Sequence, residues 1–189
     1  MNGKLFLIVG PSGVGKGTLV GKLRARNPEF YFPPSATTRP IRENEKEGEQ
    51  YFFLSDERFE KMKSENGFLE TATVHATRKY GTLKKPILDA IAAGKVVIRE
   101  VDVQGLISIR ANLEREKFVA IFISPPNFEI LEKRIRKRQP AIAAEELTRR
   151  LDSARKEIEE KTLANFEVVS EENAIEKMVA AVEKIISEN

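Results

Sequence analysis

Short apolar runs recur along the chain and predict the buried strands of a parallel sheet. The main runs cover residues 4–9, 96–101, 118–123 and 167–169, with a shorter aromatic run at 30–32. Uninterrupted runs of this kind are typical of strands covered on both faces. Stretches with helical periodicity lie between them, at residues 16–26, 86–93, 105–113, 127–138, 145–161 and 174–187. This alternation predicts a doubly wound α/β domain with right-handed crossovers.

The segment 35–82 interrupts this alternation. Residues 35–50 are polar without a period, which predicts a surface loop. A strand at 51–53, a helix that Ser55 caps and a weakly alternating strand at 68–74 are predicted next. This succession indicates a small, mostly antiparallel subdomain inserted into the parallel core.

A glycine-rich loop joins the first strand to the first helix, with the sequence Gly10-Pro11-Ser12-Gly13-Val14-Gly15-Lys16-Gly17-Thr18. Glycines let successive backbone N–H groups converge on one anion, and the following helix directs its unpaired N–H groups to the same point. Lys16 adds a mobile cation. The loop matches the P-loop pattern G-x-x-x-x-G-K-[ST], except that Gly17 displaces the hydroxyl to Thr18. We predict a phosphate site here and disfavour the alternative of a simple strand-to-helix turn.

Composition limits the chemistry that the chain can perform. Of its 189 residues, 41% are hydrophobic and 32% charged, which is ordinary for one globular domain. The absence of cysteine excludes disulfides and thiolate catalysis, and the single histidine excludes a multi-histidine metal site. That histidine, His75, is interpreted as a polar residue at a strand end.

Charge and hydropathy favour a small anionic ligand. The net charge of +3 is a modest excess, so nucleotides explain it as well as nucleic acid does. The apolar runs are far too short to span a membrane. The phosphate loop stands where a signal peptide would have its cleavage site. We therefore expect a cytoplasmic protein that binds neither nucleic acid nor membrane, and we leave its oligomeric state open.

Polar side chains outside the loop are further candidates for ligand contacts. Arg39 and Arg42 can converge on one phosphate, although ordinary surface arginines give the same pattern. Glu70 can accept two N–H bonds from guanine, whose donor pair adenine lacks, or can simply face water. Glu100 and Asp102 end a buried strand, where acids orient magnesium or its waters, although Asp102 can instead cap the next helix.

The cationic run at residues 133–138 has three interpretations. It can be a nucleic-acid patch or a solvated helix face. With Arg149 and Arg150 beyond it, the run can also belong to a mobile lid that brings arginines onto a transferring phosphate. Arg134 and Arg138 share one helix face because they are four residues apart.

Together these segments resemble the guanylate kinase family over nearly the whole chain. The resemblance rests on the loop at 10–18, Ser35-Ala-Thr-Thr-Arg39, Arg42, Gly48 to Tyr51, Phe68-Leu-Glu70, Tyr80-Gly-Thr82, Glu100-Val-Asp102-Val-Gln-Gly105 and Pro125-Pro126. It implies ATP-dependent phosphorylation of GMP to GDP with Mg²⁺. It further implies a single domain made of a core (1–34, 83–132 and 151–189), a GMP-binding insertion (35–82) and a helical lid (133–150). In this family Lys-Gly-Thr is a familiar loop ending, so Gly17 is not a defect.

The resemblance also implies roles for individual residues. ATP would be bound by the loop at 10–18. The GMP base would be recognised by Ser35, Glu70 and Thr82, with Asp102 also facing GMP. The GMP phosphate would be held by Arg39, Arg42, Tyr51 and Tyr80. The transferring group would be stabilised by Lys16, Arg134, Arg138 and Arg150. Magnesium would be bound near Thr18 and Glu100, through water.

The chain departs from the usual family pattern in places that bear on these roles. Residues 76–80 are altered and one residue longer, and a basic turn is predicted at residues 78 and 79. This change can shift Tyr80 or give Arg78 or Lys79 a phosphate role. The other departures are Thr71 beside Glu70, a stiffer lid hinge at residues 138–140, and Ser170-Glu171 where the adenine contact is expected.

Two alternatives to a guanylate kinase stay open at this point. A kinase of a phosphorylated ribose would have no guanine to recognise, and Ser35, Glu70 and Thr82 argue against it. A non-catalytic guanylate-kinase-like module would bind phosphorylated peptide, but such modules typically have a degraded phosphate loop, whereas Lys16 and its glycines are intact here.

Overall fold

The structure is a computed structural model that describes residues 3–74 and 77–189, so the interpretation of His75 lies outside the described residues. In chain order the elements are β1 (Lys4–Val9), α1 (Lys16–Arg26), β2 (Ser35–Thr37), β3 (Tyr51–Phe53), α2 (Asp56–Ser64), β4 (Phe68–Val74), β5 (Arg78–Leu83), α3 (Lys84–Ala92), β6 (Val96–Glu100), α4 (Val103–Asn112), β7 (Phe118–Ser124), α5 (Phe128–Arg138), α6 (Ala144–Glu159), β8 (Phe166–Val169) and α7 (Ile175–Glu188).

The predicted α/β core is confirmed. Its sheet has four parallel strands in the order β6-β1-β7-β8. Successive residues of β1 point to opposite faces, so Phe6 and Ile8 join one apolar layer with α1 and α7, while Leu5 and Leu7 join the other with α3 and α4. Because both faces are covered, every residue of β7 is buried, as its uninterrupted apolar run predicts.

A second, smaller sheet is formed within residues 35–83, one residue beyond the predicted insertion, in the order β3-β2-β5-β4. Two of its three pairings are antiparallel and the β2–β3 pairing is parallel, so the sheet is mixed rather than purely antiparallel. One face is apolar and packs on α2, where the rings of Phe59 and Phe68 stack with centroids 4.6 Å apart. The other face carries the polar side chains of Ser35, Thr82 and Glu70, which pair in register.

The structure corrects three sequence-based predictions. Residues 35–37 form a buried strand rather than a loop; their polar side chains hid the strand pattern. The predicted strand at 30–32 is reduced to Tyr31, which exchanges backbone hydrogen bonds with Val96 and Ile98 at 2.8 and 2.9 Å. The prolines at 33 and 34 have no N–H, so this ladder cannot continue. Residues 78 and 79, predicted as a turn, begin β5.

The helices agree closely with the periodicity. Ser55 caps α2 by accepting a hydrogen bond from the backbone N–H of Arg58, as its sequence position predicts. Asn127 caps α5 in the same way, through Ile130. Within residues 3–74 and 77–189, no helix is long and apolar enough to cross a membrane.

Candidate active site

The phosphate loop has the backbone that an anion cradle requires. Gly10, Gly13 and Gly15 have φ angles of 143°, 88° and 110°, a region that side chains disfavour. At Gly10 there is also no space for a side chain, because a Cβ would lie 2.4 Å from the carbonyl oxygen of Ile123. The loop then enters α1, whose first backbone N–H groups point toward the same place.

Lys16 lies across this loop. Its Nζ donates to the carbonyl oxygens of Gly10 at 2.6 Å and Pro11 at 3.2 Å, and it lies 3.9 Å from a Glu100 carboxylate oxygen. Burial lowers the pKa of Lys16, and the nearby Glu100 and Glu157 oppose that effect. The ammonium group is therefore held mainly by neutral carbonyls, which a phosphate oxygen can replace.

A cavity of about 560 Å³ opens beside the loop, at the carboxyl ends of β1 and β6. Ligands of doubly wound sheets bind at this edge. Many predicted ATP, metal and catalytic residues line this cavity: Gly10, Ser12, Gly13, Gly15, Lys16, Gly17, Thr18, Glu100, Arg134 and Arg138. Asp102, predicted to face GMP, and Glu157, for which no role was predicted, complete the lining. Glu100 ends β6 and Thr18 lies in the first turn of α1, so residues distant in sequence share one chamber.

The residues around Gly17 fit a magnesium ion that is bound with its nucleotide. A Cβ on Gly17 would lie 3.8 Å from Glu100 Oε2, so the missing side chain leaves the carboxylate and the Thr18 hydroxyl open to the same cavity. Among the described residues, no three Asp, Glu, His or Cys side chains form a ready-made cage. Magnesium suits such a sparse site, since it keeps several waters and takes its other ligands from substrate phosphates.

The predicted catalytic arginines differ in their contacts. Arg138 is exposed and lines both the 560 Å³ cavity and an adjoining one of about 440 Å³, which Arg150 also lines. Arg150 Nε donates to Glu146 Oε1 at 2.8 Å. Arg134 instead donates from both terminal nitrogens to Val14 of the phosphate loop and to Ser170 and Glu171 after β8, at 2.8–3.2 Å. It therefore ties α5 to both loops.

The cationic run at 133–138 is partly neutralised by acids. Lys133 Nζ lies 3.5 Å from a Glu172 carboxylate oxygen, and Arg136 Nε donates to Glu132 at 2.8 Å. The cations left facing the cavities, Arg134 and Arg138, lie beside the phosphate loop. This distribution favours the lid interpretation over the nucleic-acid patch.

The polar face of the small sheet aligns the predicted base-binding residues in one row. Ser35 pairs with Thr82, Thr82 pairs with Glu70, and Ser35 also pairs with Tyr51 on its other side. Tyr80 lies two residues from Thr82 and therefore on the same face. Thr82 Oγ1 donates to Glu70 Oε1 at 2.5 Å. Strand pairing thus joins four separated segments into one surface, here called the base-binding face.

A β-bulge determines where Glu70 points. In β4, Phe68 pairs with Leu83 but Glu70 pairs with Thr82, so Leu69 is an extra residue on this strand. Without the bulge, Phe68 and Glu70 would share a face. With it, Phe68 packs on α2, Leu69 enters the main core and Glu70 joins the base-binding face. This also explains why β4 alternates only weakly in sequence.

Sequence reasoning assigned no role to Arg99. This arginine of β6 is partly buried between the two sheets, where it donates to Thr82 Oγ1 at 2.9 Å and to Ser35 Oγ at 2.5 Å. Burial raises the pKa of Glu70, while the hydrogen bond from Thr82 and the charge of Arg99 lower it. A charged residue inside the apolar run at 96–101 was the signal that could have identified it.

The predicted phosphate-binding residues lie at the far end of the base-binding face. Arg39 is buried under an ion pair with Glu45, and its guanidinium lies 4.9 Å from the centre of the Tyr51 ring. The rings of Tyr51 and Tyr80 meet edge to face at 5.9 Å. The hydrogen bond from Arg39 lowers the pKa of Glu45 to about 2. Arg42 is exposed on the same loop, and its backbone N–H also donates to Glu45 at 2.9 Å.

Two further residues are located by the structure. Lys79, proposed as an alternative phosphate ligand, points to the opposite face and pairs with Asp56 and Glu60 at 2.9 and 2.8 Å. Asp102 caps α4 by accepting from the Gly105 N–H at 2.7 Å, and it also lines the 560 Å³ cavity. The capping interpretation of Asp102 is therefore confirmed, and its contact with GMP stays a prediction.

Comparison with known proteins gives consistent matches. A family model described as "Guanylate kinase" matches residues 2–189. Proteins named guanylate kinase are 41% identical in Nostoc sp. (91% of this chain, 84% of the relative) and 43% identical in Clostridium tetani (98% and 84%). The crystal structure of guanylate kinase from Anaplasma phagocytophilum superposes with a TM-score of 0.74 at 28% identity, covering 98% of this chain and 85% of that one.

Proposed function

Because this chain belongs to the guanylate kinase family, we propose that it transfers the γ-phosphoryl group of ATP to the phosphate of GMP. The observation that carries the proposal is the row of Ser35, Thr82 and Glu70 on the base-binding face. It presents hydroxyl groups beside a carboxylate, which suits the carbonyl, N1–H and amino group of guanine. This face and the phosphate loop are the two substrate sites of the proposal.

ATP is assigned to the core side of the site. The backbone N–H groups of the loop at 10–18 bind the phosphates, and Lys16 exchanges its carbonyl partners for a γ-phosphate oxygen. The adenine end is assigned to the cavity of about 280 Å³ that Arg134, Ser170 and Glu171 line beside the loop. When bound near Thr18 and Glu100, Mg²⁺ would offset negative charge on the β- and γ-phosphate oxygens.

GMP is assigned to the small sheet. Glu70 accepts from N1–H and the exocyclic amino group, Ser35 and Thr82 complete the contacts to the base, and Asp102 faces the nucleotide from the core. At the other end, Arg39 and Arg42 bind the GMP phosphate together with the hydroxyls of Tyr51 and Tyr80. The segment 35–82 is accordingly the GMP-binding insertion.

Transfer then requires alignment and charge stabilisation rather than a covalent intermediate. A GMP phosphate oxygen attacks the γ-phosphorus in line, the bond to the β–γ bridging oxygen breaks, and ADP leaves with that electron pair. Closure of the lid at 133–150 would bring Arg138 and Arg150 onto the transferring group and exclude water. The terminal nitrogens of Arg134 already donate to Ser170. Arg134 would therefore stabilise the same negative charge without donating a hydrogen bond from these nitrogens to the transferring group.

The two alternative functions fit the site less well. A kinase of a phosphorylated ribose would not need a carboxylate and hydroxyl row where a base would lie. A phosphopeptide-binding module would not need Lys16, the glycines at positive φ and the open cavity beside them. ATP and GMP are cytoplasmic nucleotides, so a cytoplasmic role in purine nucleotide metabolism is part of the proposal.

A coupled assay for ADP formation tests the proposal. ATP and Mg²⁺ are offered with GMP, AMP or ribose 1,5-bisphosphate, and only GMP should support rapid turnover. Lys16→Ala should abolish GDP formation while leaving GMP binding by calorimetry unchanged. Turnover of the ribose phosphate in place of GMP would favour the first alternative. Binding of phosphopeptide without any turnover would favour the second.

A further inference from the structure

Arg99 lies directly behind the base-binding face. It belongs to β6 of the parallel sheet, and its side chain reaches across to the small sheet. Nε donates to Thr82 Oγ1 at 2.9 Å and one terminal nitrogen donates to Ser35 Oγ at 2.5 Å. The other terminal nitrogen lies 3.5 Å from the carbonyl oxygen of Pro33. Arg99 therefore contacts two of the three side chains proposed to recognise the base.

These contacts determine the direction of two hydroxyl protons. A guanidinium has only donors, so both hydroxyl oxygens must accept from it. Thr82 directs its own proton to Glu70 Oε1. The proton of Ser35 must point away from Arg99, so Ser35 offers a donor to whatever lies on the base-binding face. Without Arg99, the Ser35 hydroxyl could rotate and act as donor or acceptor, whereas Thr82 would still donate to Glu70.

We propose that Arg99 sets the preference of this site for purines with an oxygen at C6. The donor that Ser35 is forced to present matches the carbonyl of guanine, and the cation behind it stabilises the partial negative charge of that oxygen. Adenine has an amino group at C6, which would face both a donor and a cation. The inference rests on the proposed GMP function and divides recognition into two parts. Arg99 and Ser35 act at C6, and Glu70 acts at N1 and the C2 amino group.

Arg99 also balances the charge of Glu70. The two groups face each other through Thr82, and the positive charge favours the ionised carboxylate that must accept from guanine. Burying a carboxylate without such a partner is costly. One arginine thus supports both parts of base recognition. At C6 it acts through the hydroxyl donor of Ser35, and at N1 and C2 it acts through the charge of Glu70.

The test compares GMP, IMP and AMP as substrates of the wild type and of Arg99→Met and Arg99→Gln. IMP keeps the C6 oxygen but lacks the C2 amino group. Loss of Arg99 should lower kcat/KM for both GMP and IMP by about 10- to 100-fold. The kcat/KM for AMP should stay within about threefold of the wild-type value. The GMP/AMP ratio should therefore fall much further than the GMP/IMP ratio, which Arg99 affects only through Glu70. Arg99→Lys, which keeps the cation, should restore most of the GMP/AMP preference.

Two controls separate this role from a structural one. Arg110→Met removes an exposed arginine of α4 that donates to the carbonyl of Leu163, and it should change no ratio. Ser35→Ala removes the hydroxyl through which Arg99 acts, so it should lower the GMP/AMP ratio even if the neutral Arg99 variants do not fold.

The inference is overturned if Arg99→Met or Arg99→Gln lowers kcat/KM equally for all three substrates. It is also overturned if Ser35→Ala leaves the GMP/AMP ratio of kcat/KM unchanged. Arg99 would then only support the fold. A wild type that does not prefer GMP to AMP would overturn the proposed function as well, so the two failures are distinguishable.

Discussion

The phosphate-loop pocket and the base-binding face would each bind a nucleotide, but they use different chemical groups. The pocket presents main-chain N–H groups that glycines expose, with the cations of Lys16, Arg134 and Arg138 in its lining. The base-binding face relies on side chains whose neighbours are set by strand pairing. We therefore expect changes in the pocket to act on the chemical step, and changes on the face to act on GMP affinity and base choice.

Lys16 in the phosphate-loop pocket and Arg39 beside the small sheet also differ in the groups that hold them. Lys16 is held by two neutral carbonyl oxygens, which a phosphate can displace without leaving a buried charge unpaired. Arg39 donates from both terminal nitrogens to the Glu45 carboxylate, and its guanidinium stacks on the ring of Tyr51. Lys16 is therefore suited to follow a moving phosphoryl group, and Arg39 to hold a stationary one.

The largest effect is expected from the lid. Arg138→Ala should lower kcat by about 10³-fold, because a cation that reaches the transferring group acts mainly in the transition state. The KM for GMP should change by less than about threefold, since Arg138 lines the two cavities beside the phosphate loop. Steady-state kinetics with GMP varied at saturating ATP measures both constants.

Arg136→Ala is the matched control for this experiment. Arg136 lies on the same helix but is exposed and pairs with Glu132 at 2.8 Å, so kcat should stay within about twofold of the wild type. If Arg138→Ala raised KM and left kcat unchanged, the assignment of the lid to the chemical step would be wrong.

A smaller effect is expected at the base-binding face. Glu70→Gln would place an amide donor against the guanine donors, at a cost of about 1–3 kcal/mol, which corresponds to a KM for GMP raised about 5- to 150-fold. The GMP/IMP ratio should fall as well, because IMP lacks the C2 amino group. Glu49→Gln, at an exposed loop glutamate that pairs with Lys46, should leave that ratio unchanged. Unchanged GMP kinetics in Glu70→Gln would mean that this carboxylate does not contact the base.

The two regions also differ in how far the sequence could predict them. The phosphate loop is one continuous motif with a fixed backbone requirement, so local residues predict an anion site there. Helical spacing likewise predicts that Arg134 and Arg138 share one face of a helix. The base-binding face depends on pairing between four strands, which no local pattern encodes. The parallel β2–β3 pairing and the bulge at Leu69 are tertiary features of this kind. The contacts of Arg99 could not be predicted for the same reason, because its partners Ser35 and Thr82 lie 64 and 17 residues away in sequence.

A modest effect is expected from the partner of Arg39. Glu45→Gln should raise the KM for GMP by about fivefold and leave kcat unchanged, because Arg39 keeps its charge but loses the carboxylate that orients it. A KM that falls would mean that Glu45 competes with the GMP phosphate instead of orienting Arg39. Steady-state kinetics at neutral pH distinguishes the two results.

The same pair has a predictable pH dependence. The pKa of Glu45 is lowered from 4.5 to about 2 in the folded state, so its contribution to stability is fully present above 4.5. It is lost as the pH falls toward 2, when the carboxylate takes up a proton. The difference in urea midpoint between the wild type and Glu45→Gln should therefore be constant from pH 7 to pH 5 and shrink below pH 4.5. A constant difference down to pH 2 would contradict this assignment.

The smallest effect is expected from Lys79→Met. Lys79 neighbours Tyr80 in β5, yet alternation turns it to the opposite face, where Asp56 and Glu60 of α2 hold its ammonium group. Removing it should slightly lower the melting temperature and leave the KM for GMP within about twofold, because partly exposed ion pairs contribute little. Arg39→Met, the buried cation on the ligand-facing side, should raise the same KM by at least about tenfold. If Lys79→Met matched that increase, the altered segment 76–80 would supply a phosphate ligand, and the assignment of binding to one face of the small sheet would fail.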